Sequence, residues 1–219
     1  MSQITVKAPS PRAALRALKQ PLYDCMEAPA AAAAVNNLTW FQTPIGGALN
    51  VTGVAKSVAE TNLTQSGQLG VPQEFDLYGF NFTFVEDDGY LDTAGAPTSL
   101  ANFALDIIEV YEASVFKFFF GQQRPWLTIP LSRIPHGTFF LTGPGDDMIA
   151  TENFFAVSMG DSSKKEFYKF LANDAQIGIH SAENFSARVE WPLAAFGLTA
   201  DGAASRMFCY LVGVLYTAL

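Results

Sequence analysis

The sequence predicts an all-β sandwich or barrel of about eight strands, with one inserted helix and an extended N-terminal arm. Three observations carry that expectation. From residue 61 onward, turn signals recur about every ten residues. The stretch EFDLYGFNFTFVED alternates at period two, with Phe80, Phe82 and Phe84 on one face and Asn81 and Thr83 on the other. Residues 1–60 are rich in Ala, Pro, Asn and Gly and lack strand periodicity. The chain therefore divides into an arm, 1–60, and a β-sandwich body, 61–219.

Within the arm, Ser10 is a suitable N-cap and Pro11 suits a first helical position, so AALRALKQ is expected as a short helix stopped by Pro21. Leu15, Leu18 and Leu22 would form its apolar stripe. Pro29 and the run Ala30–Ala34 suggest a second helical turn, and Trp40 and Phe41 would anchor the arm. In the body, Asp87, Asp88 and Gly89 mark a turn after the first long strand. TSLANFALDIIEVYE follows helical spacing behind a Thr98 or Ser99 cap. VFKFFF and WLTIPL read as strands about the turn GQQRP, with Pro130 placing the second at a sheet edge or bulge. TFFLTG and ENFFAVSMG are strand-like, and EFYKFL fits either strand or helix. AQIGIH and FSARVEWPL read as a hairpin about SAEN. SRMFCYLVGVLYTA reads as a closing strand buried on both faces.

Composition narrows the function classes. Charged residues make up 16% of the chain and apolar residues 49%, with 19 Phe. A typical soluble domain carries about 25% charged residues. Large exposed apolar patches are rare on monomers, so the excess argues for assembly. The net charge of −8 disfavours a general nucleic-acid coat. The charge is uneven: residues 1–23 hold Lys7, Arg12, Arg16 and Lys19 and no acid, which leaves −12 on the rest. Such a segment suits phosphates of nucleic acid or of lipid headgroups. The N-terminus shows no apolar core of a signal peptide. The longest apolar stretch, Met207 to Leu219, is too short to span a bilayer.

No catalytic constellation emerges. His136 and His180 are isolated, and no Gly-x-Ser-x-Gly elbow or phosphate loop is present. Glu86, Asp87 and Asp88, and also Asp146 and Asp147, sit where turn chemistry alone places aspartates. Cys25 and Cys209 lack zinc spacing, and Cys209 reads as a small buried hydrophobe. Neither metal nor cofactor is expected, nor enzyme activity. Five Asn-x-Ser/Thr sites, at Asn37, Asn50, Asn62, Asn81 and Asn184, read as polar β-surface.

Phe outnumbers Tyr and Trp together, which fits a core and a subunit contact better than a sugar platform. Adjacent Phe118, Phe119 and Phe120 alternate across a sheet, so rings would face both the core and a neighbour. The candidate subunit interface is Trp40, Phe41, Phe118, Phe119, Phe120 and Trp126. The candidate anion-contact residues are Lys7, Arg12, Arg16 and Lys19.

The order of four stretches carries a resemblance. They are TWFQTPIGG, ETNLTQSGQLGVPQEFDLYGFNF, SVFKFFFGQQRPWLTIPLSRIPHG, and the closing ENFSARVEWPLAAFGLTADGAASRMFCYLVGVLYTAL. Together they cover about two thirds of the chain, and all are soft patterns of apolar residues and turns. In that order the chain resembles jelly-roll capsid proteins of tailless icosahedral viruses of bacteria and related environmental viruses. The resemblance implies a single jelly roll that self-assembles with copies of itself into a closed icosahedral shell without enzyme activity. It also implies synthesis in a host cytoplasm and a place in the virion. Further expected partners are other capsid proteins and, through the arm, an anionic inner membrane or the genome. The residues leave open a jelly-roll module for carbohydrate or a receptor, and a sandwich-fold enzyme.

Overall fold

A computed structural model of the chain describes residues 15–85, 106, 108–121, 124–134, 168–169, 176–198 and 205–218. The strands are β1 (Leu15–Leu18), β2 (Leu22–Glu27), β3 (Asn37–Trp40), β4 (Glu74–Val85), β5 (Val115–Phe120), β6 (Leu127–Pro130), β7 (Tyr168–Lys169), β8 (Ile177–Ile179), β9 (Phe185–Glu190) and β10 (Arg206–Ala218). Among the described residues they form two antiparallel sheets, so the protein is an all-β sandwich. One sheet centres on β10 beside β4. β1 and β2 follow one another along the outer side of β10, and β7 and β8 line the far side of β4. The other sheet runs β3-β9-β5-β6. The inserted helix is represented by residues 106 and 108–112, which are helical.

Six of the eight ladders among the described residues follow one pattern, and the other two, β4–β10 and β5–β9, join the resulting pairs within each sheet. β5 pairs with β6, β4 with β7 and β8, β3 with β9, and β1 and β2 with β10. The chain thus pairs with itself as one long hairpin that reverses after Phe120. Gly121 makes that reversal at φ +62, a conformation that disfavours residues with a Cβ.

A single apolar cluster fills the space between the sheets. Phe80 of β4 meets Phe116 and Phe118 of β5 at centroid separations of 5.1 and 4.9 Å. Trp40 of β3 stands edge-on to Phe82 at 5.5 Å and donates its Nε1–H to Met207 O at 2.9 Å. Such ring pairs add about 0.5–1.5 kcal/mol each beyond the area they bury. The alternation expected for Phe80, Phe82 and Phe84 is present, all three being buried.

Further back in β4 the buried apolar side chains are Phe75 and Leu77, at odd positions, with the buried carboxylate Asp76 between them. The parity change has a cause. Val212 opposes Gly79 and Gly213 opposes Leu77, so Tyr78 is an extra residue in a β-bulge. A bulge turns every later side chain to the other face. Gly213 is needed there: a Cβ would lie 2.0 Å from Asp76 O and 2.7 Å from the Phe75 ring.

Several expectations are corrected. The helix predicted from Pro11 is, at Leu15–Leu18, the strand β1, paired to Leu215–Ala218. A helix of that length is marginal alone, and the ladder offered by β10 outweighs its propensity. The stretch 15–60 is no loosely pinned arm, since Leu22, Cys25, Ala28, Leu38, Trp40, Phe41 and Leu49 are buried. β8 and β9 form no hairpin: β8 joins β4 in one sheet and β9 joins β5 in the other. β10 is buried on one face only, at Met207, Cys209, Leu211 and Leu215, while Phe208, Tyr210, Val212 and Val214 are half-covered. Pro130 does lie on an edge strand, β6, opposite Val115. The Ala run forms a 3-10 turn over Ala31–Ala33. Its neighbour Gly197 lies so close that a Cβ would sit 2.8 Å from Ala30 O. TFFLTG and ENFFAVSMG lie outside the described residues.

Candidate functional site

Four buried ionisable side chains, Asp24, Glu27, Lys56 and Glu60, gather at the outer edge of β2, under a strap formed by residues 44–62. Among the described strands β2 pairs with β10 alone, its other edge meeting the strap at the single bridge Asp24–Thr61, and an open edge invites pairing with other chains. The strap closes it with side-chain amides. Asn62 accepts from Tyr23 N–H at 2.9 Å and donates to Pro21 O at 2.8 Å. Asn50 accepts from Glu27 N–H at 2.7 Å and donates to Glu27 O at 2.9 Å. Each amide presents one acceptor and one donor, as a neighbouring strand would.

Beneath the strap lies an ion pair with no solvent exposure on either side chain. Lys56 Nζ stands 2.7 Å from Asp24 Oδ1. Asp24 Oδ2 accepts from Phe41 N–H at 2.5 Å. That bond holds Phe41 at φ 68, a left-handed conformation that costs a bulky residue about 1–3 kcal/mol. Burial pushes the Asp24 carboxyl above its ordinary range, against the opposing charge and hydrogen bond of Lys56 and further hydrogen bonds from Phe41 N–H and Thr61.

Two other carboxylates fasten the strap. Glu27 accepts from Val51 N–H at 2.9 Å, Thr52 N–H at 2.7 Å and the Thr52 hydroxyl at 2.5 Å. Glu60 accepts from the Ser57 hydroxyl and amide, and Arg206 Nη1 lies 2.8 Å from its Oε1. The Ser57 hydroxyl is the first cause that holds Glu60 below the usual carboxylate range, with the Arg206 charge helping. The thiols beside this cluster are free and buried. Burial pushes Cys25 up to about 12 and raises Cys209 as well, so neither forms a thiolate nucleophile near neutral pH. Asp24 faces Lys56 and Glu60 faces Arg206, Glu27 is held by amides and a hydroxyl, and of these side chains Arg206 alone is substantially exposed.

The predicted site residues scatter. Lys7 and Arg12 lie outside the described residues. Arg16 and Lys19 are exposed. Lys19 borders an open groove of about 620 Å³ on the outer face of the β10–β4 sheet, beside Tyr78, Asn81, Tyr210 and Val212. The interface rings are corrected: Trp40, Phe41 and Phe118 are wholly buried inside one chain and cannot touch a neighbour. Phe120 and Trp126 are half-buried against the same core. Phe119 faces outward under Arg188, whose guanidinium carbon sits 5.1 Å from the ring centre. The rings of the VFKFFF strand are therefore covered mainly from within.

His180 pairs with Glu74 at 3.4 Å, and His136, the 86–88 acids and Asp146 and Asp147 lie outside the described residues. No group of three or more potential metal ligands occurs among the described residues. No described helix is long and apolar enough to cross a membrane. Sequence reasoning missed Asp24, Glu27, Lys56 and Glu60. A faint signal was present for Lys56 and Glu60, the two ionisable residues of an otherwise uncharged stretch from 44 to 62. Among known proteins, no family model, no curated protein and no solved structure matches this chain.

Proposed function

We propose that this chain is a structural virion protein, a single jelly roll that self-assembles with copies of itself into an icosahedral capsid. The strand order carries the reading. Taking β1 with β2, and β7 with β8, as interrupted strands leaves eight, ordered 1-8-3-6 in one sheet and 2-7-4-5 in the other. That order supports a jelly roll, in which a hairpin of four strand pairs is rolled into two sheets. Fold alone does not name a function. The second support is composition, with 16% charged residues on a chain of 219. The third is the resemblance to jelly-roll coat proteins. Exposed Arg16 and Lys19 with Lys7 and Arg12 are the proposed contact to an anionic inner membrane or genome, and other capsid proteins are further proposed partners. Sedimentation velocity with electron microscopy of the purified chain tests the reading. Closed particles of many copies are expected, and a stable monomer at micromolar concentration overturns it.

A second reading, a carbohydrate- or receptor-binding module, is favoured by one feature. The groove of about 620 Å³ places Tyr78 and Tyr210 beside Asn81 and Thr83. Rings that carry hydroxyls next to amide and hydroxyl side chains suit sugar faces. Glycan binding by a monomer, abolished by Tyr210→Ala, would replace the shell reading with this one.

A further inference from the structure

The strap has an outer surface that its fastening does not explain. From Ile45 to Ala59 its exposed residues are Ile45, Gly46, Ala48, Asn50, Val51, Thr52, Gly53, Val54, Ala55, Ser57, Val58 and Ala59, none of them charged. The ionisable residues of the strap, Lys56 and Glu60, are turned inward and buried. Of seven large hydrophobic residues exposed among the described residues, four lie here: Ile45 at 40%, Val51 at 48%, Val54 at 60% and Val58 at 68%. The strap is also held in one shape. Leu49 N–H bonds Val54 O at 2.8 Å and Lys56 N–H bonds Gly47 O at 2.7 Å, which makes 47–56 a small hairpin. Gly53 turns its tip at φ +70. The buried Lys56–Asp24 pair and the Glu27 carboxylate tie that hairpin to β2.

We propose that the valine-bearing outer surface of the strap, the hairpin 47–56 with Val58 just beyond it, is a contact surface for a second copy of this chain. The proposal rests on the self-assembly reading above and names where that assembly is made. The charge distribution selects the occupant. Each copy carries −8, so two copies repel except where their facing surfaces are uncharged. The hairpin is such a surface. An anionic membrane would instead select cations, and none is exposed from 45 to 59. A glycan would select aromatic rings, and the segment 45–59 has none. A rigid hairpin loses little freedom on docking, so its apolar area converts to affinity with a small ordering cost.

Val54→Asp/Val58→Asp tests this, beside Val54→Ser/Val58→Ser and Val54→Lys/Val58→Lys, with the full chain studied by sedimentation velocity across concentration. All three variants change exposed side chains, and circular dichroism and thermal melts checked in parallel are expected to match the parent. Loss of two valines from a contact weakens self-association roughly a hundredfold. The Asp and Lys variants are expected to be monomeric where the parent forms particles, and the Ser variant to assemble only at higher concentration. Particles from all variants at parental concentration would overturn the contact while leaving the shell reading standing. A parent that stays monomeric would overturn both. Disruption by Asp with strengthening by Lys would reveal an acidic partner surface and overturn the uncharged contact.

Discussion

The β5–β6 hairpin and the β2 edge are held by opposite means. β5 places Phe116 and Phe118 against Phe80 in the middle of the core and needs no buried charge there. β2 is fixed by the Asp24–Lys56 pair, by Glu27 and by two asparagine amides, which reach across 23 to 41 residues of sequence, while Glu60 ties the strap to β10 through Arg206. The edges of the two sheets differ likewise. β6 stays short and ends in Pro130, which lacks the donor that an added strand would pair with. β2 is longer and is covered by the strap. Apolar packing tolerates sliding and repacking, whereas a buried ion pair has one geometry. The strap is thereby locked in position, as the proposed contact surface between copies would need.

Removal of residues 15–60 is the largest way to break that contrast. The stretch supplies β1, β2, β3 and the buried Trp40 and Phe41. The truncated chain is expected to lose its cooperative thermal transition and its β-rich circular dichroism. If it keeps a folded body, residues 15–60 are an appendage after all.

Substitution on either side of the comparison comes next. Phe80→Ala is expected to cost about 3–5 kcal/mol in urea unfolding, from lost transfer energy and the cavity left beside the Phe116 and Phe118 rings. Lys56→Met is expected to cost about 3–5 kcal/mol by leaving Asp24 buried without its partner. The two sites separate on rescue. Adding Asp24→Leu to Lys56→Met should recover much of the loss, because the uncompensated charge is gone. A double variant as unstable as the sum of its single changes would show that the pair does not act as a unit.

The smallest effect is in pH. Glu60 is held below its usual range of 4.5, so its stabilisation is complete above that value and is lost as pH falls through the folded pKa. Asp24 runs the other way. Its folded pKa is raised above 3.8, so the fold is favoured by it at low pH and that contribution is lost as pH rises through the folded value. Urea midpoints measured from neutral pH into acid should therefore fall less steeply in Glu60→Gln than in the parent. An unchanged acid limb would remove Glu60 from the fastening.

The sequence by itself determined what period and side-chain size can carry. Phe80, Phe82 and Phe84 alternate because a strand repeats every two residues, and that regularity is written locally. Pro130 marked an edge because its lack of a donor is a property of the residue alone. The tertiary structure decided the rest. LRAL satisfies a helical stripe and a strand equally well, and only the ladder of β10 at Leu215–Ala218 selects the strand. Tyr78 becomes an extra residue only because Gly213 and Val212 set the register opposite it. Asp24 and Lys56 lie 32 residues apart, and neither announces burial, because a charged residue is stable inside only when its partner is already in place. The partner is a fact of three dimensions, and so is the uncharged outer surface that remains when both charges turn inward.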